Sequence, residues 1–408
     1  MSNDLDQSVT TEAPEAAPRG TILGRVVRGV LLVLCLAVAV FILYGQISTL
    51  LPVGWLAAIE PFQVPVSFIR DTFGSWNIVF MIVILVVGWF VLRGRGRLAV
   101  SGLSVIGLVL VLITTTVQIV AVHDATGQWY AFSPATPTDA TGRGPDKTVT
   151  YATLGGQEMK ADIYTPKTSG PAPLVVFVHG GGFVAGSRGP LPYQSWLADN
   201  GFAVFDVDYR LATATDHTWN TEDADVGCAL TWATLHALEY HWDLTRVASY
   251  GGSAGGNLAV NIAYKVNAGT LTPSCGLAPM MPKFKAVIAS YPAVDLTDTT
   301  GETPFGVQAG QWYLGGAPAE HPDRYAAVDS ARQITPAAPP TLLIQGGADH
   351  LVFASHTKAF ADQLTAAGIT NRYVELPYLD HGYDLLTLNI GTEATRALML
   401  PWYQKYLG

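Results

Sequence analysis

Charge is what this chain has least of. Only 13% of its 408 residues are Asp, Glu, Lys or Arg, against roughly 25% in an ordinary soluble protein. The balance is acidic, with a net charge of −9, and no basic face with interleaved aromatics occurs, which excludes nucleic acid as an expected partner. Cysteine is nearly absent. Cys35, Cys228 and Cys275 are the three present, and no Cys/His spacing of the zinc type exists, so no metal is expected. Cys35 sits in an apolar run and is expected only to pack. Cys228 and Cys275 are either a disulfide, if their domain is exported, or two separate buried thiols.

The missing charge is missing from particular places. Gly29–Ile59, Thr72–Leu92 and Leu98–Val122 contain no acidic or basic residue. Each exceeds the roughly 18–20 apolar residues that cross a bilayer. Three transmembrane helices are therefore predicted. No charge lies at mid-depth in them, which argues against transport and for a plain anchor. Arginines set the orientation. Arg19, Arg25 and Arg28 precede the first run, and Arg93, Arg95 and Arg97 join the second to the third. Between the first two, Arg70 stands alone beside Glu60 and Asp71. Positive residues stay on the cytoplasmic side, so the N-terminus is predicted inside and everything after Val122 outside. Trp55, Phe62, Phe68 and Trp76 suit the outer interface. The reading divides the chain into a disordered cytoplasmic tail (1–22), a three-helix transmembrane anchor (23–122), a linker (123–147) and a catalytic domain (148–408).

From Thr148 the pattern changes. Val149–Leu154 and Glu158–Tyr164 alternate around Gly155-Gly156, a hairpin signal. Leu174–Val178, Ala203–Val207, Arg246–Tyr250, Ala286–Ser290, Thr341–Gln345 and Arg372–Glu375 read as strands. Tyr193–Asn200, Asp223–Glu239, Asn257–Ala268, Thr357–Ala367 and Glu393–Tyr406 read as helices. Such alternation predicts an α/β fold with a mostly parallel central sheet, whose functional loops follow the carboxyl ends of the strands.

Two of those loops are glycine-rich. Gly251-Gly252-Ser253-Ala254-Gly255 fits G-x-S-x-G, a sharp strand-to-helix turn that presents a serine hydroxyl, and His179-Gly180-Gly181-Gly182-Phe183 fits the loop that offers backbone N–H groups to an oxyanion. Together they point to attack of an activated serine on an acyl carbon. The serine needs a base, and the base needs an acid to hold its tautomer. In the order Ser, Asp, His, the base is His381, the histidine in a turn after the last predicted strand. The acid is Asp349, directly after the strand ending at Gln345. Asp380 adjoins His381 in sequence and is expected to point away; Asp384 and Asp295 are read as structural. The oxyanion donors are predicted to be the N–H groups of Gly181, Gly182 and Ala254, with His179 anchoring its loop. Phe183, Tyr291, Trp312 and Tyr313 are candidate substrate-binding aromatics, and the stretches Thr270–Lys285 and Thr300–Arg332 are candidate lids.

With these residues in view, the chain resembles the hormone-sensitive-lipase-like carboxylesterases of the α/β-hydrolase superfamily, in the branch with bacterial feruloyl and acetyl esterases. The resemblance rests on His179–Phe183, Asp208-Tyr209-Arg210-Leu211, Gly251–Ala259, Gly346-Gly347-Ala348-Asp349, Asp380-His381-Gly382 and the segment Ala152–Pro166, and it covers roughly residues 148–408. It implies an α/β-hydrolase fold and a Ser-His-Asp esterase that needs no cofactor. Tyr209 and Arg210 are read as structural. Two departures stand out: soluble members have no membrane anchor, and Gly252 stands where the common variant has an acid before the serine.

The expectation is a membrane-anchored serine carboxylic-ester hydrolase, facing outward and deacylating an envelope lipid, glycolipid or glycan, with the bilayer as its other partner. An acyltransferase using the same acyl-enzyme is the alternative, followed by a serine peptidase.

Overall fold

The computed structural model describes residues 22–51, 60–130, 132, 142–168, 170–189, 191–276, 280–299, 303–385 and 389–408. Residues 1–21 of the predicted N-terminal tail, Trp55, the side chain of Phe62 and residues 131 and 133–141 of the predicted linker lie outside the described residues.

Four helices precede the sheet. α1 (Ile22–Ser48) and α4 (Gly94–Thr126) are each long and apolar enough to cross a bilayer. The run Thr72–Leu92, expected to be one transmembrane helix, begins at a bend: its first two residues end α2 (Glu60–Phe73), and α3 (Trp76–Phe90) leaves at 90°. Among the described residues, two helices are thus long and apolar enough to span, or up to three if the bent pair counts as one. The cause is local: Gly74 adopts φ +46° and its N–H closes on the Arg70 carbonyl, ending α2. α3 has 15 residues, about 22 Å at 1.5 Å per residue, short of a bilayer core of about 30 Å. The helices bury Cys35, Ala39, Met81, Val100 and Val111 against one another and leave Val30, Val33, Ile82, Ile106 and Val109 exposed. An apolar outer face of this kind is compatible with membrane insertion.

α4 has 33 residues, about 50 Å, and therefore runs well past one bilayer thickness. Its last turns carry Ile119, Val122 and Ala125 into the core of the following domain, and Arg372 donates to the Ala125 carbonyl at 2.6 Å. Residues 123–126, expected in a linker, are helical.

The domain is an eight-stranded sheet in the order β1-β2-β4-β3-β5-β6-β7-β8. Its strands are β1 (Lys147–Leu154), β2 (Gln157–Tyr164), β3 (Ala172–Val178), β4 (Ala203–Val207), β5 (Trp242–Gly252), β6 (Phe284–Ser290), β7 (Thr341–Gly346) and β8 (Asn371–Leu376). The hairpin β1–β2 and the β2–β4 pair are antiparallel, and all other pairs are parallel. β3 is buried along its whole length. Its alternate residues serve two cores: Leu174, Val176 and Val178 join one, and Val175 and Phe177 the other, as the two-residue period of a strand dictates. The first core takes α6 (Glu222–His236), α7 (Ala254–Ala268) and α11 (Ala354–Ala366). The second takes α5 (Gln194–Asp199), α12 (Ile390–Leu407) and the end of α4. α8 (Leu296–Thr299), α9 (Pro304–Leu314) and α10 (Pro322–Val328) sit in the segment between β6 and β7.

Cys228, on α6, is joined to Cys275 by a disulfide, which decides between the two readings left open by the sequence.

Candidate active site

Four strands deliver their loops to one place. Ser253 follows β5 at the N-terminus of α7 with φ +58° and ψ −126°, a conformation that non-glycine residues seldom adopt. The turn holds because the Ser253 N–H donates to the Ser290 carbonyl at 3.0 Å, and the Asn257 N–H returns to the Ser253 carbonyl at 3.1 Å. Strain at such a position aims the side chain away from the sheet edge.

His381 stands beside it. Its Nε2 lies 2.8 Å from Ser253 Oγ and its Nδ1 lies 2.9 Å from Asp349 Oδ2. With Nδ1–H donating to the carboxylate, Nε2 is left as the acceptor for the serine proton. The structure thus brings together three residues separated by up to 128 positions. Asp349 is itself fixed on all sides: Oδ1 accepts the N–H groups of Leu351 (2.9 Å) and Val352 (2.7 Å), and Oδ2 also accepts from Gln345 Nε2 (2.9 Å). Burial of His381 works against its charged form, but the charge of Asp349 and its hydrogen bond outweigh burial, so the imidazole pKa is raised.

The glycine loop after β3 lies against the serine. Gly181 has φ +130°, and a Cβ there would come within 2.0 Å of the Ala185 carbonyl oxygen, so only glycine permits the fold of this loop. Among the described residues, the N–H groups of Gly181 and Gly182 donate to no backbone or side-chain acceptor, and that of Ala254 begins α7, where no intrahelical acceptor exists. His179 is stacked on Tyr209 at 4.2 Å between ring centroids, and the Tyr209 hydroxyl donates to the His179 carbonyl. Burial lowers the His179 pKa, consistent with a neutral anchor for the loop. Arg210 forks onto Asp225 at 2.6 and 2.8 Å, away from Ser253.

Two hollows meet at Ser253. The larger, about 590 Å³, reaches from Ser253 and His381 past Gly180–Gly182 to Arg188, Gln194 and Asp206. Asp206 accepts from the Gly189 N–H and from Gln194 Nε2, both at 3.0 Å. Burial, together with the charges of Asp162 and Asp208, pushes its pKa up to about 8. The smaller hollow, about 30 Å³, is walled by Phe183, Ala293, Leu296, Phe305, Ala309, Leu351 and Val352.

The expected aromatics separate accordingly. Phe183 and Tyr291 line the hollows. Tyr313 lies behind Phe183, stacked at 4.0 Å, and lines neither. Trp312 also lines neither; its carbonyl accepts from His217. The reason is position along α9: Phe305 and Ala309 reach the site, and Trp312 lies two turns beyond Phe305, roughly 10 Å along the axis. α9 thus lines both hollows through Phe305, and the smaller one also through Ala309, whereas no described residue of Thr270–Lys285 reaches them. Arg188, Gln194, Asp206, Phe305, Leu351 and Leu385 line the site without having been singled out from the sequence. Asp206 alone carried a signal, as the one polar residue within an otherwise apolar strand.

A mostly parallel sheet in which β2 alone runs antiparallel, a serine at the strand-to-helix turn after β5 and a histidine after β8 define an α/β-hydrolase. The BD-FAE family profile matches residues 161–364, half of the chain, and the chain belongs to that family, among the carboxylesterase-type members of the superfamily. It is 30% identical over 238 residues to esterase LipC of Mycobacterium tuberculosis, covering 53% of this chain and 54% of the relative. It is 29% identical over 223 residues to the probable carboxylic ester hydrolase LipM of the same organism, covering 53% and 51%. The chain spans about half the length of these curated relatives. Among solved structures, a bacterial heroin esterase superposes with a TM-score of 0.54 at 26% identity, covering 68% of this chain and 87% of the other. An esterase of Pyrobaculum calidifontis shares the fold, with a TM-score of 0.54 at 23% identity over 72% of this chain and 94% of the other.

Proposed function

We propose that this protein is a membrane-anchored serine carboxylic-ester hydrolase. One observation carries the reading: a single imidazole sits 2.8 Å from the Ser253 hydroxyl and 2.9 Å from the Asp349 carboxylate, beside unengaged backbone amides.

Ser253 Oγ attacks the ester carbonyl carbon as His381 Nε2 takes the hydroxyl proton. The carbonyl oxygen becomes an oxyanion against the N–H groups of Gly181, Gly182 and Ala254. Asp349 keeps the imidazolium oriented and compensates its charge. The C–O bond to the alcohol breaks as His381 returns the proton to the leaving oxygen. Water then enters, loses a proton to His381 and attacks the acyl-serine, which releases the acid and restores Ser253. The chemistry calls on no group outside the chain.

The unequal hollows favour a small acyl group and a larger alcohol portion. The 30 Å³ apolar hollow has room for little more than a short acyl chain. The larger one presents the polar side chains of Arg188, Gln194 and Asp206 to a hydroxyl-bearing partner. The relatives named as esterases support the reaction class. The disulfide supports an oxidising compartment for this domain, and the arginines before α1 and between α3 and α4 support an outward orientation. The proposed substrate is thus a short-chain acyl ester of an envelope lipid, glycolipid or glycan.

The test is hydrolysis of p-nitrophenyl acetate by the full chain in nanodiscs and by its Ser253→Ala variant. The variant is expected to lose at least about 10⁴-fold in kcat; undiminished turnover would remove the proposal.

A further inference from the structure

The bent helix pair does more than interrupt a span: it pushes an ion pair into the catalytic domain. Arg70 and Asp71, near the end of α2, are 6% and 3% exposed. Arg70 uses its whole guanidinium. Nε donates to Asp71 Oδ1 at 2.8 Å, Nη1 to the Gly45 carbonyl of α1 at 3.0 Å, and Nη2 to the Tyr378 carbonyl at 2.7 Å. Asp71 Oδ2 accepts the Asp380 N–H at 2.9 Å, and the Asp71 carbonyl accepts from Asn389 Nδ2 at 3.0 Å. Both ends of the turn that leads into His381 are therefore held by adjacent residues of the anchor, more than 300 positions away in the chain.

That turn needs holding. Tyr378 has φ +61°, an uncommon conformation for a bulky side chain, and its carbonyl is the one Arg70 takes. Asp380 then ties the base's loop to the acid's. Oδ1 accepts the N–H groups of His381 (2.7 Å) and His350 (2.8 Å), and Oδ2 lies 2.7 Å from His350 Nδ1. His350 directly follows Asp349. A continuous line of hydrogen bonds thus runs from α1 through Arg70, Asp71 and Asp380 to the backbone on both sides of the His381–Asp349 contact.

We propose that Arg70 and Asp71 are positioning residues for the esterase reaction: the anchor sets the height of the His381 loop, and the catalytic domain is competent only with its anchor docked. This rests on the esterase reading above. Neither residue touches the hollows at Ser253, so both act through the loop. Misplacement of reacting groups by about 1 Å costs on the order of 100-fold in rate.

The test uses the full chain in nanodiscs. Removing one partner alone would strand a buried charge, so R70M and D71L are combined to remove both charges. Combining R70M with Asp71→Asn also removes both charges but retains an acceptor for the Asp380 N–H. Arg372→Ala cuts another contact between anchor and domain, at Ala125; Arg372 lies at the start of β8, the end of that strand opposite the His381 turn. The double variant is expected to lose about 10- to 100-fold in kcat with KM within about 2-fold of wild type, and to exchange the Asp380 and His381 amides at least about 10-fold faster in hydrogen–deuterium exchange. R70M/D71N should lose less kcat than R70M/D71L, and R372A should match wild type in both readouts. Wild-type kcat and wild-type exchange in the double variant would overturn the proposal, as would an equal loss in R372A. Absence of hydrolysis by the wild type would sink the esterase reading, while the exchange data would still decide whether Arg70 and Asp71 hold the loop.

Discussion

Tyr291 donates its hydroxyl to the buried carboxylate of Asp384 while its ring meets the edge of His381, with 4.8 Å between centroids. Tyr193 donates to the other oxygen of the same carboxylate. Burial raises the Asp384 pKa despite these two donors, so both phenols help to hold it charged. The same ring crowds Gly252, where a Cβ would lie 3.0 Å from Tyr291. Tyr291 packs against the base and forms part of the cavity wall. Tyr291→Phe keeps the ring and removes one donor from a buried carboxylate, which should cost about 1–3 kcal/mol of stability. Chemical denaturation of variant and wild type reads this directly, and an unchanged midpoint would contradict the account.

The pH dependence of kcat/KM follows from His381. The imidazole must be neutral to accept the serine proton. Burial opposes its charged form, but Asp349, together with the charges of Asp380 and Asp384, outweighs burial and raises the pKa above its usual value of about 6.5. Activity should therefore rise with pH through a midpoint above about 6.5 and level off beyond it. The stability contribution has the opposite sense. A raised pKa favours the folded state below the unfolded value, and this contribution fades as pH rises through the folded value. Asp349→Asn should move the kinetic midpoint down and lower the plateau; a rate profile that follows fluorophosphonate-insensitive turnover would not show this shift.

Cys228 and Cys275 close a loop of 47 residues, which restricts the unfolded chain. Replacing both by serine should lower stability by about 2–4 kcal/mol, with little change in KM because neither residue lines the hollows. Thermal unfolding of the variant, with and without reductant, checks this: reductant should move wild type toward the variant and leave the variant where it is.

Much of the architecture was legible in the sequence because it is written locally. A buried parallel strand is a continuous apolar run, and the turns after β3, β5, β7 and β8 carry glycine at the ends of such runs. Ser253, Asp349 and His381 could be named because each lies in one of those turns. What the sequence concealed depends on packing at a distance. The break at Gly74 falls just inside the start of an apolar run, where hydropathy does not register a φ of +46°. Arg70 and Asp71 read as ordinary loop charges, because nothing local marks a partner more than 300 residues away. Trp312 and Tyr313 looked well placed by proximity in sequence, but the pitch of α9 gave the site to Phe305 and Ala309. Cys228 and Cys275 could not be paired from two positions alone.

The most direct measurement is covalent. The full chain in nanodiscs is treated with a fluorophosphonate and the adduct is located by mass spectrometry. The account predicts one phosphonyl group per chain, on Ser253, formed at a rate that falls at least about 10³-fold in His381→Ala. Labelling at another serine, or an undiminished rate on Ser253 without the imidazole, would contradict it.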